Sequence, residues 1–404
     1  MAIQTTSNLS NAIRTRYIGK YIEAAGTQRV YDMFAKAVSD DDSAVKFLGN
    51  SYQYNFLSEM APGVTTISET ADVTPQILVD ATATFSPTDR GEAIEWAEKL
   101  DLKAYTNYGE QRFGIVGRNM MESVDLLAQA VALQGGLVFR NAARASLDAG
   151  TSGDRLTDAS FGKVESLCQT LKIPAYIMEN GQGRWFAAMH NDTYYDLRTG
   201  GNVVTIAQYQ KGELILGYNE LGVLGKFKLI VTPFAKVFGA AGADNGSNVA
   251  TTLSTAGARL DKTIVVASAT NITSGMYLTI GTEETGNTFY PANERVRVSA
   301  NYVSGTTIDI IGEGSNGGLK YAHDSAVAVR NADSVYPVAF GGAESLVKVF
   351  ASEQAQGEYG TVVGPAEDGL LAQFRYLGWK FYGGYGRITE NSIVRGEFSS
   401  SIEA

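Results

Sequence analysis

The sequence is short of the residues on which most enzyme chemistry depends. Cys168 is the single cysteine in 404 residues, and His190 and His323 are the only histidines. One cysteine excludes an intrachain disulfide and any thiolate metal cluster. Two histidines beside it are too few for the familiar zinc centres. Positive charge is scarce as well. Lys and Arg number 33 against 43 Asp and Glu, a net charge of −10, and the densest basic clusters are pairs such as Arg14/Arg16 and Arg295/Arg297. Gripping nucleic-acid phosphates takes a basic patch, so tight nucleic-acid binding is not expected. No run nears the ~18 apolar residues of a membrane span. The N-terminal segment has no apolar core of signal-peptide type. These absences predict a soluble chain made in a cytoplasm, with no membrane partner.

What is present supports a large core. Hydrophobic residues make up 44% of the chain, while charged residues are only 19%, below the usual share of about a quarter. A surface poor in charge fits one that meets other protein. Residues 1–50 are polar and then helical in pattern, through Ile13, Tyr17, Tyr21, Ile22, Val30, Met33 and Phe34. Asp40, Asp41 and Asp42 lack the alternating ligands and glycine of a calcium loop and read as a solvated turn or helix start. Pro62, Pro75 and Pro87 make 60–88 extended. There Ile77, Val79, Ala81, Ala83 and Phe85 alternate with Leu78, Asp80, Thr82 and Thr84, and Ile94, Trp96, Leu100 and Leu102 follow the turn at 87–91. The pair reads as a long two-stranded hairpin whose second arm runs toward a helix.

Apolar spacing through Val124, Ala128, Val131, Gly135, Val138 and Ala142 predicts one long, largely buried helix over 118–149, with Gly135 and Gly136 inside it. A second helix is expected over 160–172, ended by Pro174, with Cys168 on its apolar face as a buried, inert thiol. A strand over 185–189 precedes a helix over 191–198 capped by Asn191 or Asp192. Strands follow at 213–217 and 224–231. From 240 to 334 the composition shifts to Thr, Ser, Gly, Asn and Val. Five strand-like runs there (TIVVASA, MYLTIG, RVRVSANYV, TTIDIIG, SAVAVRN) predict a small barrel or sandwich inserted in the main domain.

No constellation specifies an enzyme. Gly312 to Gly317 match GxGxxG, but a strand-like run follows where a dinucleotide site needs a helix N-terminus, so a turn is expected. His190 and Asp192 lack the elbow of a hydrolytic triad, and a strand-end histidine that turns the chain is expected. Glu92 and Glu98 would share a strand face with Glu95 opposite, which suits ion pairing or solvation better than acid–base work. No catalytic residue, cofactor or metal is expected. The glycine- and aromatic-rich stretch 377–398 (LGWKFYGGYGRITENSIVRGEF) lacks the positive groove of a base-stacking platform. Leu377, Trp379 and Phe381 alternate on one face of a strand, with Gly383 and Gly384 permitting a bulge or a close backbone approach.

Four segments, GRWFAAMHNDTYYDLR, GELILGYNELGVLGKFKLIVTP, SVYPVAFGGAESLVKV and LGWKFYGGYGRITENSIVRGEF, occur in an order that resembles the major capsid proteins of tailed bacteriophages, of podophage type with the HK97-like fold. The shared features are the strand ending at His190, the Asp196-Leu197-Arg198 helix, the run from Glu220 to Gly225, and Thr232-Pro233. Asn219 before Glu220 departs from the family's pattern. The resemblance implies an α+β fold with an N-terminal arm (1–50), an extended β-hairpin loop and flanks (51–117) and a spine helix (118–154). An axial domain in two parts (155–239 and 335–370) is interrupted by an inserted β-rich domain (240–334), and peripheral-domain strands close the chain (371–404). It implies a structural protein that self-assembles into hexamers and pentamers of an icosahedral head around double-stranded DNA, held non-specifically. Arg90, Glu92, Glu95 and Trp96 are the expected intersubunit contacts of the extended loop. Portal, a separate scaffolding protein and a decoration protein are the implied partners, and the virion, after assembly in host cytoplasm, the location. The alternatives are an encapsulin-type shell holding cargo and a non-assembling β-rich surface or adhesion protein.

Overall fold

A computed structural model of the chain describes residues 30–38, 51–64, 66, 70, 75–103, 108–179, 182–200, 220–244, 248–282, 284, 288–343, 345–350, 360–368 and 373–403. The N-terminal helical pattern before Val30, the turn at 40–42 and the strand expected at 213–217 lie outside these. The chain forms two compact units. Among the described residues, one takes those within 35–121 and 346–389, and the other those within 30–34, 122–345 and 390–403.

The first unit is built on a five-stranded sheet whose longest strand is Phe374–Gly386. Thr88–Ala97 and Thr361–Asp368 pair with it antiparallel, and so does Leu346–Phe350 near its end. Ala35–Val38 pairs parallel with Leu346–Phe350, so the helical spacing read at Val30 to Phe34 ends in a short 3-10 turn and a strand. Leu377, Trp379 and Phe381 are buried on one face, as their alternation predicts. The Trp379 indole N–H donates to Asn119 Oδ1 at 2.8 Å. Gly383 is required by a close approach, since a Cβ there would lie 2.7 Å from the Val349 carbonyl oxygen. Lys348 is fully buried, its ammonium 5.7–6.0 Å from the ring centres of Phe350, Phe381 and Tyr385, a cation–π setting.

Two expectations fail here. The arms of the predicted hairpin do not pair with each other. Asp80–Phe85 pairs with Tyr52–Leu57, while Thr88–Ala97 joins the large sheet and runs into helix α1, Glu98–Lys103. Alternation identifies a strand but not its partner, and both partners lie outside the 60–102 window. The long helix, α2, is Tyr108–Gln134, not 118–149. Gly135 and Gly136, each costing about 1 kcal/mol inside a helix, end it. The apolar pattern beyond them belongs to Val138–Phe139, a short strand parallel to Ile393–Phe398. Residues of α2 up to Met121 fall in the first unit and those from Glu122 in the second.

The second unit holds a seven-stranded sheet. Its order is Val138–Phe139, Ile393–Phe398, Tyr336–Gly341, Gln182–Met189, Phe227–Val231, Glu220–Leu224, with Ile177–Glu179 on Gln182–Met189. Helix α3, Asp158–Thr170, is capped by Thr157, whose hydroxyl accepts the Ser160 N–H, and lays Phe161, Val164 and Cys168 on the sheet. Phe161, Phe227 and Phe340 meet edge to face with centroids 5.2–5.7 Å apart. The other sheet face buries Phe186, stacked on Phe34 at 3.7 Å. Helix α4, Asn191–Thr199, is capped by His190 rather than by Asn191 or Asp192: the imidazole Nδ1 accepts the Asp192 N–H at 3.2 Å.

Between Phe227–Val231 and Tyr336–Gly341 the chain makes a six-stranded sheet with its own core. Its order is Ala250–Thr252, Ala328–Arg330, Tyr277–Ile280, Glu294–Val298, Thr307–Ile311, Thr263–Val265. Ser254 N–H to Val265 O and Ala267 N–H to Thr252 O, both 2.8 Å, join its first and last strands. The sheet therefore closes into a small barrel, which leaves no free edge.

Candidate functional site

The single cysteine and both histidines are engaged structurally. Cys168 is buried, and burial pushes its thiol up to about 12. His190 caps α4. His323 is buried with Nε2 2.7 Å from Glu294. The glycines from 312 to 317 form a turn after Thr307–Ile311, with Gly312 N–H on the Gly317 carbonyl at 2.9 Å, and no helix follows. Among the described residues no group of three or more His, Cys, Asp or Glu is placed to share a metal ion. No described helix is long and apolar enough to cross a membrane.

The feature that calls for a partner is the hairpin of the first unit. Its ladder continues past the strands: Ser58 and Val79 exchange bonds of 2.8–2.9 Å, and Gln76 brackets Ala61 with two more. These bonds tie the backbone at Ser58, Ala61 and Val79, while apolar side chains of the same arms face solvent. Leu57, Met60, Val64, Ile77, Leu78 and Val79 are all exposed, Val64 at 90% and Ile77 at 89%. Single exposed apolar residues are ordinary, but six along the arms of one hairpin are more than a subunit by itself has reason to leave in water. The period-2 reading of 77–85 supplied the strand. It did not reveal that Ile77, Leu78 and Val79 lie before it and face solvent together.

Arg90, Glu92, Glu95 and Trp96 are not on that hairpin. They lie on Thr88–Ala97, facing Phe381, Trp379, Tyr376 and Arg375 across the ladder. Arg90, Glu92 and Glu95 are exposed. Trp96 is half-buried under the Arg112 guanidinium, 4.2 Å from the ring centre.

The second unit carries buried charge that sequence reading missed. Glu397, with no exposed side-chain surface, accepts both Arg144 Nη2 and Nε (the latter at 3.0 Å) and lies 2.9 Å from Arg395 Nε. Arg295 of the barrel reaches Asp192, Glu403 and the Tyr336 hydroxyl. Burial alone would raise Asp192, but its polar partners, among them the Arg295 guanidinium and the Tyr336 hydroxyl, hold it at about 2. Asp125 Oδ1 accepts three successive backbone N–H groups, from Val30, Tyr31 and Asp32, at 2.7–3.0 Å. Burial pushes Asp125 up to about 7 against those bonds. Arg144 and Glu397 are 253 positions apart in the chain, a separation that no local pattern reports.

No family model matches the sequence, and no curated protein is similar to it in sequence. Solved structures are similar to it in fold. The chain is similar to the capsid of Ralstonia phage GP4, with 8% identity and a TM-score of 0.55 over 93% of this chain and 92% of that one. It is similar to the cyanophage Pam1 capsid, with 11% identity and a TM-score of 0.53 over 91% and 89%. It is also similar to the capsid of cyanophage P-SCSP1u, with 11% identity and a TM-score of 0.50 over 92% and 88%. The mixed α+β fold is therefore that of phage capsid proteins, the HK97-like fold expected from the order of the sequence segments.

Proposed function

We propose that this chain is a phage major capsid protein: a structural, non-enzymatic subunit that self-assembles into hexamers and pentamers of an icosahedral head enclosing double-stranded DNA. The observation that carries the reading is the likeness to the Ralstonia phage GP4 capsid, which spans more than nine-tenths of both chains. The exposed apolar hairpin supports it independently, because an isolated subunit has no use for six solvent-facing apolar side chains in one segment. In this reading residues 52–85 are the extended loop that lies on a neighbouring copy, α2 is the spine helix, and the seven-stranded sheet belongs to the axial domain. The barrel is the inserted domain. Arg90, Glu92 and Glu95 serve as rim contacts, where charge sets partner choice and rate more than affinity. The acidic balance suits a container whose wall does not grip the packaged DNA. Portal, a scaffolding protein and a decoration protein are the further partners, and assembly takes place in host cytoplasm before the protein resides in the virion.

Expression of the chain followed by sizing and electron microscopy tests the reading. Closed particles, tubes or ring-shaped capsomers are expected. A monodisperse monomer at high concentration contradicts it.

A further inference from the structure

Asp125 is a buried carboxylate with one oxygen used and one left over. Oδ1 accepts the N–H groups of Val30, Tyr31 and Asp32 at 3.0, 2.7 and 3.0 Å. Three backbone N–H donors on one oxygen favour the ionised form. The residue is only 4% exposed, and a buried charge normally has a counter-ion. Among the described residues Asp125 has none within ion-pair distance, and Oδ2 accepts no hydrogen bond from them. Nor is Oδ2 sealed in protein, as the unpartnered Gln129 Oε1 is. It is left for the cavity of about 100 Å³ that Asp125 lines, enclosed by α2, the loop 233–237 and barrel residues within 291–295 and 313–321.

The cations of this cavity are committed elsewhere. Lys320 pairs with Glu122, and Arg295 with Asp192 and Glu403. Lys236 donates to the Asn293 carbonyl at 2.8 Å. His190 is neutral, since its Nδ1 accepts the Asp192 N–H. Against these three cations the lining sets four carboxylates, with Glu294 and Glu313 beside Glu122 and Asp125. Asp32 adds its negative charge next to Asp125. A cation, not an anion, is therefore what completes the site. A metal ion does not fit, because among the described residues no three His, Cys, Asp or Glu converge. The space also exceeds the roughly 10–15 Å³ that a single water needs. Leu126, Pro233 and Phe234 give it an apolar wall, which suits a short alkyl chain attached to the charge.

We propose that this cavity binds a small aliphatic primary amine, its ammonium donating to Asp125 Oδ2 and its alkyl chain lying on Leu126, Pro233 and Phe234. The contact is a charge-assisted hydrogen bond, and the ammonium offsets the burial of the carboxylate. Through Asp125 the bound amine steadies the backbone at 30–32, and through the apolar wall it steadies the segment 233–237 that leads toward the barrel. The site lies wholly within the second unit and holds whether or not the chain builds a shell.

Hydrogen exchange of the purified wild-type chain, read by mass spectrometry, tests this with n-butylammonium chloride as the probe. The measurement is made at about pH 8, where a carboxyl of pKa about 7 is ionised and a primary amine is still charged. A saturable slowing of exchange at 30–32 and 233–237 is expected. Sodium chloride at equal ionic strength and n-butanol, the same chain without charge, should produce none. In D125N, with unchanged circular dichroism, half-saturation should need at least about tenfold more amine, the scale of one charge-assisted hydrogen bond. The proposal is overturned if the amine slows neither segment, or if the alcohol or the salt reproduces its effect. Wild-type half-saturation in folded D125N overturns it as well. Should D125N not fold, the comparison of amine, alcohol and salt on the wild-type chain decides.

Discussion

Glu397 answers three arginines, Arg140 at 3.6 Å, Arg144 and Arg395, from a position with no exposed side-chain surface. Removing it strands buried cations, and breaking such a group costs about 3–5 kcal/mol. E397A should therefore move the midpoint of urea unfolding by a corresponding amount, and a shift below about 1 kcal/mol, the scale of an exposed pair, contradicts the assignment. Asp125 makes a different prediction. Its folded pKa stands at about 7, above the ordinary 3.8, so its contribution to stability is full below about 3.8 and is lost as pH rises toward 7. D125N keeps an oxygen for the three N–H groups but has no proton to lose. Melting temperature should fall between these pH values in the wild type more steeply than in D125N, and parallel profiles contradict the account. Neither residue was legible in the sequence, because a buried ion pair or a carboxylate on a distant backbone leaves no local period.

At the scale of elements, period and composition carried much of the fold. The strands of the barrel, α3, α4 and the alternation of Leu377, Trp379 and Phe381 all occur where the spacing places them. The failures share one cause: apolar spacing names an element but neither its end nor its partner. Leu137, Val138 and Phe139 continue the helical stripe of α2, yet Gly135 and Gly136 stop it and sheet pairing takes the rest. Local spacing places Arg90, Glu92, Glu95 and Trp96 on a hairpin because the true partner of their strand, Phe374–Gly386, lies far along the chain. The true hairpin pairs Tyr52–Leu57 with Asp80–Phe85. Its exposed apolar side chains contribute little to the subunit's own stability. The double variant V64D/I77D should unfold within about 0.5 kcal/mol of wild type, as surface changes do, while losing assembly in sedimentation velocity. Retained assembly would remove the hairpin from the interface. Its charged neighbours act differently: E92K/E95K should alter the rate and salt dependence of assembly more than its end point, read by light scattering.

The molecule as a whole combines a shell-type fold with a barrel that the chain enters and leaves side by side. Ala250–Thr252 pairs with Ala328–Arg330, and Asn331 Oδ1 accepts the Val249 N–H at 2.7 Å. With its own apolar core and closed sheet, the segment 248–331 should fold alone, giving a cooperative thermal transition and dispersed amide resonances. A featureless spectrum would show that Arg295, Lys236 and Lys320 bind it to the rest by necessity rather than by docking. The central claim concerns assembly, since the fold likeness, the charge-poor surface and the solvent-facing apolar hairpin all point to many copies in contact. Electron microscopy of the purified wild-type chain across a concentration series tests it most directly. The account predicts rings, tubes or closed shells that V64D/I77D abolishes; dispersed single subunits at every concentration contradict it.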